Sequence, residues 1–144
     1  MSNPNQPSKE SEALESIFVD QRKLAIEIAL EAKDVFSIDN TECIPILPYP
    51  TSELKSWAHL LVELATAYIC YIGKHRDSAS LSREVLMERC RLKSDVLRAR
   101  LSELRRDRYV RSTDEGEMIT THGLLAFRDF IRELKLEHSS EEGL

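Results

Sequence analysis

The side chains best suited to chemistry lie between Arg83 and Arg111. Asp95, Arg98, Ser102 and Arg105 recur at three- and four-residue spacing, which puts them on one face if the stretch is helical. Arg91 and Lys93 lead into that face, Ser94 stands at its start, and Arg100 and Arg106 flank it. Arg83 and Arg111 extend the basic region to either side. A guanidinium can pair with phosphate oxygens or with the O6 and N7 atoms of guanine, while serine and aspartate reach base edges without blocking approach. Such a stripe is expected to recognise a polyanion, with double-stranded DNA the leading candidate. A solvated, ion-paired amphipathic helix is the bland alternative.

Charge is segregated in the same sense. The 144 residues carry a formal net charge of -5, yet Lys74 to Arg111 hold twelve Lys or Arg against six Asp or Glu. A molecule that is acidic overall can still present a positive face to a polyanion. Little points to catalysis: there is no Gly-rich phosphate loop, no HExxH and no clustered metal ligands, so no enzyme, cofactor or metal is expected. Cys43, Cys70 and Cys90 have no paired spacing, which disfavours disulfides and zinc and suits a reducing cytoplasm. His59 lies among apolar neighbours and is expected to be a satisfied or edge histidine, and Cys70 and Cys90 to be structural.

The elements that must position the basic stripe follow from periodicity. A buried central helix is expected over about 53–74, where WAHLLVELATAYICYI is apolar nearly all round, but too short and too interrupted by His59 and Glu63 to span a membrane. Thr51 or Ser52 could cap its start, and Gly73 ends it. Ser82 can cap a short helix with Val85, Leu86 and Cys90 facing inward. Arg91 to Lys93 then form a turn with Leu92 at the corner, and Ser94 caps a second helix, 94–108, docked by Leu97, Leu101 and Leu104. Tyr109–Ser112 and Glu117–Thr120 are expected to be two strands, with Asp114, Glu115 and Gly116 as their turn and an acidic tip at Asp114, Glu115 and Glu117.

Flanking segments complete the plan. Residues 1–9 and 138–144 are polar and expected to be disordered. One helix is expected over 10–37, a Pro-rich connector over 38–51, and the main domain over 52–137, ending in a helix capped by Thr120 or Thr121 with Leu124, Phe127, Ile131 and Leu134 as its stripe. Both terminal helices carry more apolar surface than a small domain needs. Pairing with a second subunit through Leu14, Phe18, Ile28, Leu125, Phe130 and Leu134 is the expectation, and folding back on the same chain is the alternative. The expected fold class is thus mainly α with a small β-hairpin wing: a winged helix-turn-helix with N- and C-terminal dimerisation helices.

On SLSREVLMERCRLKSDVLRARLSELRRDRYV followed by DEGEMITTHGLLAF, the chain resembles winged helix-turn-helix transcriptional regulators of the MarR-like group. Ile119, Thr120 and Gly123 fit that group's apolar-Thr-x-x-Gly signature, whereas Arg108 stands where the group has glycine and the wing is acidic rather than basic. The resemblance implies a homodimeric, sequence-specific regulator of double-stranded DNA, with Arg98, Arg100 and Arg105 at bases or phosphates and Ser94, Asp95 and Ser102 in support. It names no effector, although a pocket between the terminal and central helices could hold a small-molecule or protein effector. The residues themselves, with no anchor-like start or span, lead to no expected membrane partner. A winged-helix protein interaction module, or a subunit of a larger assembly, is the second reading.

Overall fold

The structure, a computed structural model, describes residues 8–142, with side chains for 8–139. It is mainly helical, with two small antiparallel hairpins. The elements are α1 (Lys9–Glu15), α2 (Gln21–Ala32), β1 (Ser37–Asp39), β2 (Ile44–Ile46), a 3-10 turn (Thr51–Glu53), α3 (Ser56–Ile72), α4 (Arg83–Cys90), α5 (Ser94–Arg106), β3 (Val110–Thr113), β4 (Gly116–Ile119) and α6 (Thr121–Glu142).

Helix α3 is the axis of the core. Its residues 58–68 and Cys70 are all buried, because α2, α4, α5, α6, β2 and β4 all pack against it. An all-round apolar helix is stable in water only when covered in this way. The expected capping by Thr51 or Ser52 is not seen. Those residues form the 3-10 turn after Pro50, Leu54 is extended, and α3 begins after Lys55 with no side-chain cap.

The single helix expected over 10–37 is two. Asp20 is extended and its carboxylate accepts from the Lys23 amide at 3.1 Å, starting α2 afresh. The preceding Ile17, Phe18 and Val19 are aromatic or β-branched and poor helix formers. Helix α2 then folds back on α6 of the same chain. Ile28 and Leu134, expected at a subunit interface, are therefore fully covered within the chain, because the stripes of α2 and α6 meet each other and α3. Phe36 lies against Phe127 edge to face, ring centroids 5.5 Å apart. Arg132 Nε donates to Glu31 Oε1 at 2.7 Å and Lys135 Nζ to the Glu31 carbonyl at 2.8 Å. The hydrogen bond from Arg132 holds the Glu31 carboxyl below its ordinary range.

The expected Pro-rich connector contains a hairpin. Strands β1 and β2 pair Ser37 with Ile46 and Asp39 with Ile44, and the Asp39 carboxylate accepts from the Thr41 amide at 2.9 Å. Pro45 is tolerated because a two-stranded ribbon leaves one edge free. At the other end of the chain the tail expected to fray from residue 138 is helical to Glu142. Residues 1–7 of the expected disordered N-terminus and residues 143–144 lie outside the described range, and Lys9 opens α1.

Two glycines fit where no side chain would. Gly116 has φ +136°, and a Cβ there would stand 2.2 Å from the Leu81 carbonyl oxygen. That approach lets Leu81 and Glu117 exchange amide hydrogen bonds of 2.9 and 2.8 Å, adding a third short strand segment to the second hairpin. At Gly123 a Cβ would stand 2.2 Å from the Tyr109 carbonyl oxygen. Thr120 Oγ1 accepts from the Gly123 amide at 3.0 Å, capping α6 as expected, and donates to the Arg108 carbonyl. The Thr-x-x-Gly spacing thus joins a helix cap to a close backbone crossing. Gly123→Ala is expected to cost about 2 kcal/mol by forcing α6 off residues 108–109, measurable as a lower urea midpoint; an unchanged midpoint would contradict this packing.

Three residues just beyond helix ends adopt left-handed backbone: Lys74 (φ 65°) after α3, Arg91 (φ 52°) after α4 and Arg108 (φ 65°) after α5.

Candidate nucleic-acid interface

The basic stripe sits on α5, and two neighbours hold that helix. Ser82 caps α4, its hydroxyl accepting from the Val85 amide at 3.3 Å. Helix α4 ends at Cys90 with Arg91 as its left-handed cap, and the half-buried Leu92 donates its amide to the Met87 carbonyl at 3.1 Å. The turn Arg91–Lys93 leads into α5. Ser94 is the first helical residue rather than the cap; Lys93 takes the cap position and makes no side-chain cap bond. Proximity of Ser94 to the helix start was legible, but its hydroxyl is one residue too far along to accept from the first amides. Leu97, Leu101 and Leu104 are buried as expected.

The opposite face of α5 is open. Ser94, Asp95, Arg98, Ser102 and Arg106 are exposed, as are Arg91 and Lys93 before it. Arg98 has no ion-pair partner among the described residues. Arg100 is engaged with Glu103 at 2.7 Å on the surface, and Arg106 stands 3.9 Å from Asp107. Exposed pairs of this kind are weak and readily exchanged for another anion.

Arg105 differs from the others. Its Nη2 donates to Glu117 Oε1 at 2.7 Å and its Nε to Oε2 at 3.4 Å. Ser112 Oγ donates to both carboxylate oxygens at 3.1 and 3.2 Å, and Arg83 Nη2 is 4.0 Å from Oε1. Glu117 is only 2% exposed, so it does not belong to an acidic wing tip. That tip is Asp114 and Glu115 alone. Sequence reasoning placed Glu117 by its neighbours and missed its parity, since alternation along β4 puts it on the inward face with Ile119. The consequence for the stripe is that Arg105 ties α5 to the hairpin, with Arg83 of α4 nearby. Arg111, exposed on β3, donates to the Met118 sulfur at 3.7 Å.

A second polar group lies inside the core. Glu63 on α3 is buried; His59 Nε2 stands 3.5 Å from its Oε1, and Arg89 Nη1 of α4 stands 3.8 Å from its Oε2. His59, expected to be a satisfied or edge histidine, is instead buried with its Nε2 unsatisfied: that atom makes no hydrogen bond among the described residues. Arg89 Nη2 donates to the Glu42 carbonyl at 3.1 Å, linking α4 to the first hairpin. Cys43, Cys70 and Cys90 are free and buried. Burial pushes the Cys70 and Cys90 thiols up to about 12, with the neighbouring Cys43 adding to the first and Glu63 to the second. Both stay protonated at neutral pH, which suits packing better than redox chemistry.

Of the residues expected at a dimer interface, Leu14 and Phe18 are exposed, Phe18 by 70%, while Leu125 and Phe130 are half-buried. Helix α1 buries none of its residues. Among the described residues no group of His, Cys, Asp or Glu could hold a metal ion, and no helix is long and apolar enough to cross a membrane. No family model, curated protein or solved structure matches the chain.

Proposed function

We propose that α3 to β4 form a winged helix-turn-helix of MarR-like type, and that the chain is a sequence-specific, double-stranded DNA-binding transcriptional regulator of the cytoplasm rather than an enzyme. The observation that carries this reading is α5: a leucine face docked in the core, and an open face of Arg98, Ser102 and Arg106 immediately after a three-residue turn. That is the placement a helix needs to enter a major groove, with Arg91 and Lys93 at its leading end to meet phosphates. The acidic tip of the hairpin, Asp114 and Glu115, keeps the wing off the backbone and leaves recognition to α5.

In this reading the protein acts as a homodimer. Ile28 and Leu134 are spent inside the chain, so of the expected contacts Leu14, Phe18, Leu125 and Phe130 remain, with Ile17 and Val19 extending the exposed apolar run around Phe18. Two heads would then read half-sites about 34 Å apart.

Selection of duplexes from a random library, with affinities of the winners measured at two salt concentrations, tests the proposal. A palindromic site is expected, with binding that falls steeply with salt. Arg98→Ala should weaken binding by about tenfold or more. Unchanged affinity for the selected site would remove α5 from the interface. The same exposed run around Phe18 also suits a winged-helix interaction module or a subunit of a larger assembly; failure to enrich any duplex at low salt would favour that second reading.

A further inference from the structure

We propose that the groove between the start of α3, the end of α5 and the middle of α6 is a binding site for a small organic cation with an aromatic or alkyl body. The cavity measures about 460 Å³, within the range of small-molecule sites. Trp57, Tyr109 and Phe130 supply aromatic walls, and Leu104 and Ala126 its apolar lining. Trp57 is 44% exposed there, although the eleven residues that follow it along α3 are all buried. A large indole left open on a groove that two other rings also line is ready cover for an apolar body.

Charge decides the class of ligand. The rim carries four carboxylates, Glu103, Asp107, Asp129 and Glu133, against the one guanidinium of Arg106. Arg100 engages Glu103, and Arg106 stands near Asp107. Asp129 and Glu133 have no ion-pair partner within 4.0 Å among the described residues, and they repel each other one turn apart on α6. An anion would meet that rim unfavourably. A quaternary ammonium or protonated amine would relieve it, while its positive charge is attracted by the face of an indole or phenol ring. The site is independent of whether α5 binds DNA, although α5 contributes part of its wall.

Trp57 is the chain's one tryptophan, so its emission reports on this groove directly. The full chain would be titrated with benzyltrimethylammonium, and in parallel with benzenesulfonate and benzyl alcohol. Saturable change in Trp57 emission with the cation, and none with the anion, is expected. Asp129→Asn combined with Glu133→Gln should weaken the cation by about tenfold while leaving the circular dichroism spectrum unchanged, since both residues lie at the rim. Equal response to cation and anion, cation affinity unaltered in the double variant, or no saturable response to the cation in the native chain would each overturn the proposal.

Discussion

Arg105→Ala is expected to destabilise the fold by about 3 kcal/mol, far more than loss of a surface arginine would. Glu117 is sealed between the hairpin and α5, and Arg105 gives it its two shortest charged contacts, 2.7 and 3.4 Å. Without that guanidinium the carboxylate keeps the Ser112 hydroxyl and a half-exposed Arg83 at 4.0 Å. The hydroxyl carries no charge, and Arg83, half in water and at the edge of ion-pair range, compensates the buried carboxylate only weakly. The asymmetry of the pair sharpens the expectation: Arg105 is partly exposed and can turn to water when Glu117 is removed, whereas Glu117 has no such exit. Glu117→Gln should therefore cost less than Arg105→Ala, and combining Arg105→Met with Glu117→Leu should recover much of the loss. Urea unfolding of the single and double variants reads all three values. Single-variant costs below about 0.5 kcal/mol, typical of surface sites, would show that Glu117 is not the bolt between α5 and the hairpin.

Phe127→Ala is expected to cost about 4 kcal/mol. Its ring is fully buried, set edge-on to Phe36 and stacked at 6.3 Å on Phe130. Phe36 belongs to the segment after α2 and Phe127 to α6, so the cavity would open where the two ends of the chain meet over α3. Neighbouring Ile28, Leu124 and Ile131 are already fully packed and leave little freedom to collapse into the gap. Equilibrium denaturation measures the cost. A loss under about 1 kcal/mol would mean that the α2 and α6 junction repacks freely, against the cavity behaviour of close-packed cores.

Much of the centre of this protein is written plainly in its sequence. The all-round apolar run of α3, the Ser82 cap, the leucine spacing of α5 and the glycine after Asp114-Glu115 each have one cheap local solution. The termini do not. Apolar spacing from Leu14 to Val35 continues across the break at Ser16–Asp20, so periodicity alone carries on where the Asp20 cap stops it. An amphipathic stripe also states that something must cover it without stating what, which is why Ile28 and Leu134 read as subunit contacts although each is met within the chain. The first hairpin is hidden for a different reason: proline argues against regular pairing in general, and only a two-stranded ribbon escapes that argument. Within the basic stripe, residue type and spacing cannot distinguish Arg98, which has no ion-pair partner among the described residues, from Arg105, which is committed to Glu117. That distinction depends on the inward face of β4, a strand twelve residues further on.

The left-handed positions after α3, α4 and α5 also shape how this chain could change. Glycine would hold each at lower backbone cost, since a side chain there costs about 1–2 kcal/mol. The chain instead places Lys74, Arg91 and Arg108 there, each at the negative end of a helix, where a cation returns about 0.3–1 kcal/mol. The return is smaller than the strain. Exchanging these three residues for glycine would thus be a short mutational route to a sturdier protein, and the same route would strip three positive charges from the molecule, two of them at the ends of the helix pair that presents α5. Stability and charge are set against one another at these positions, and selection for robustness alone would erode the basic character of that surface.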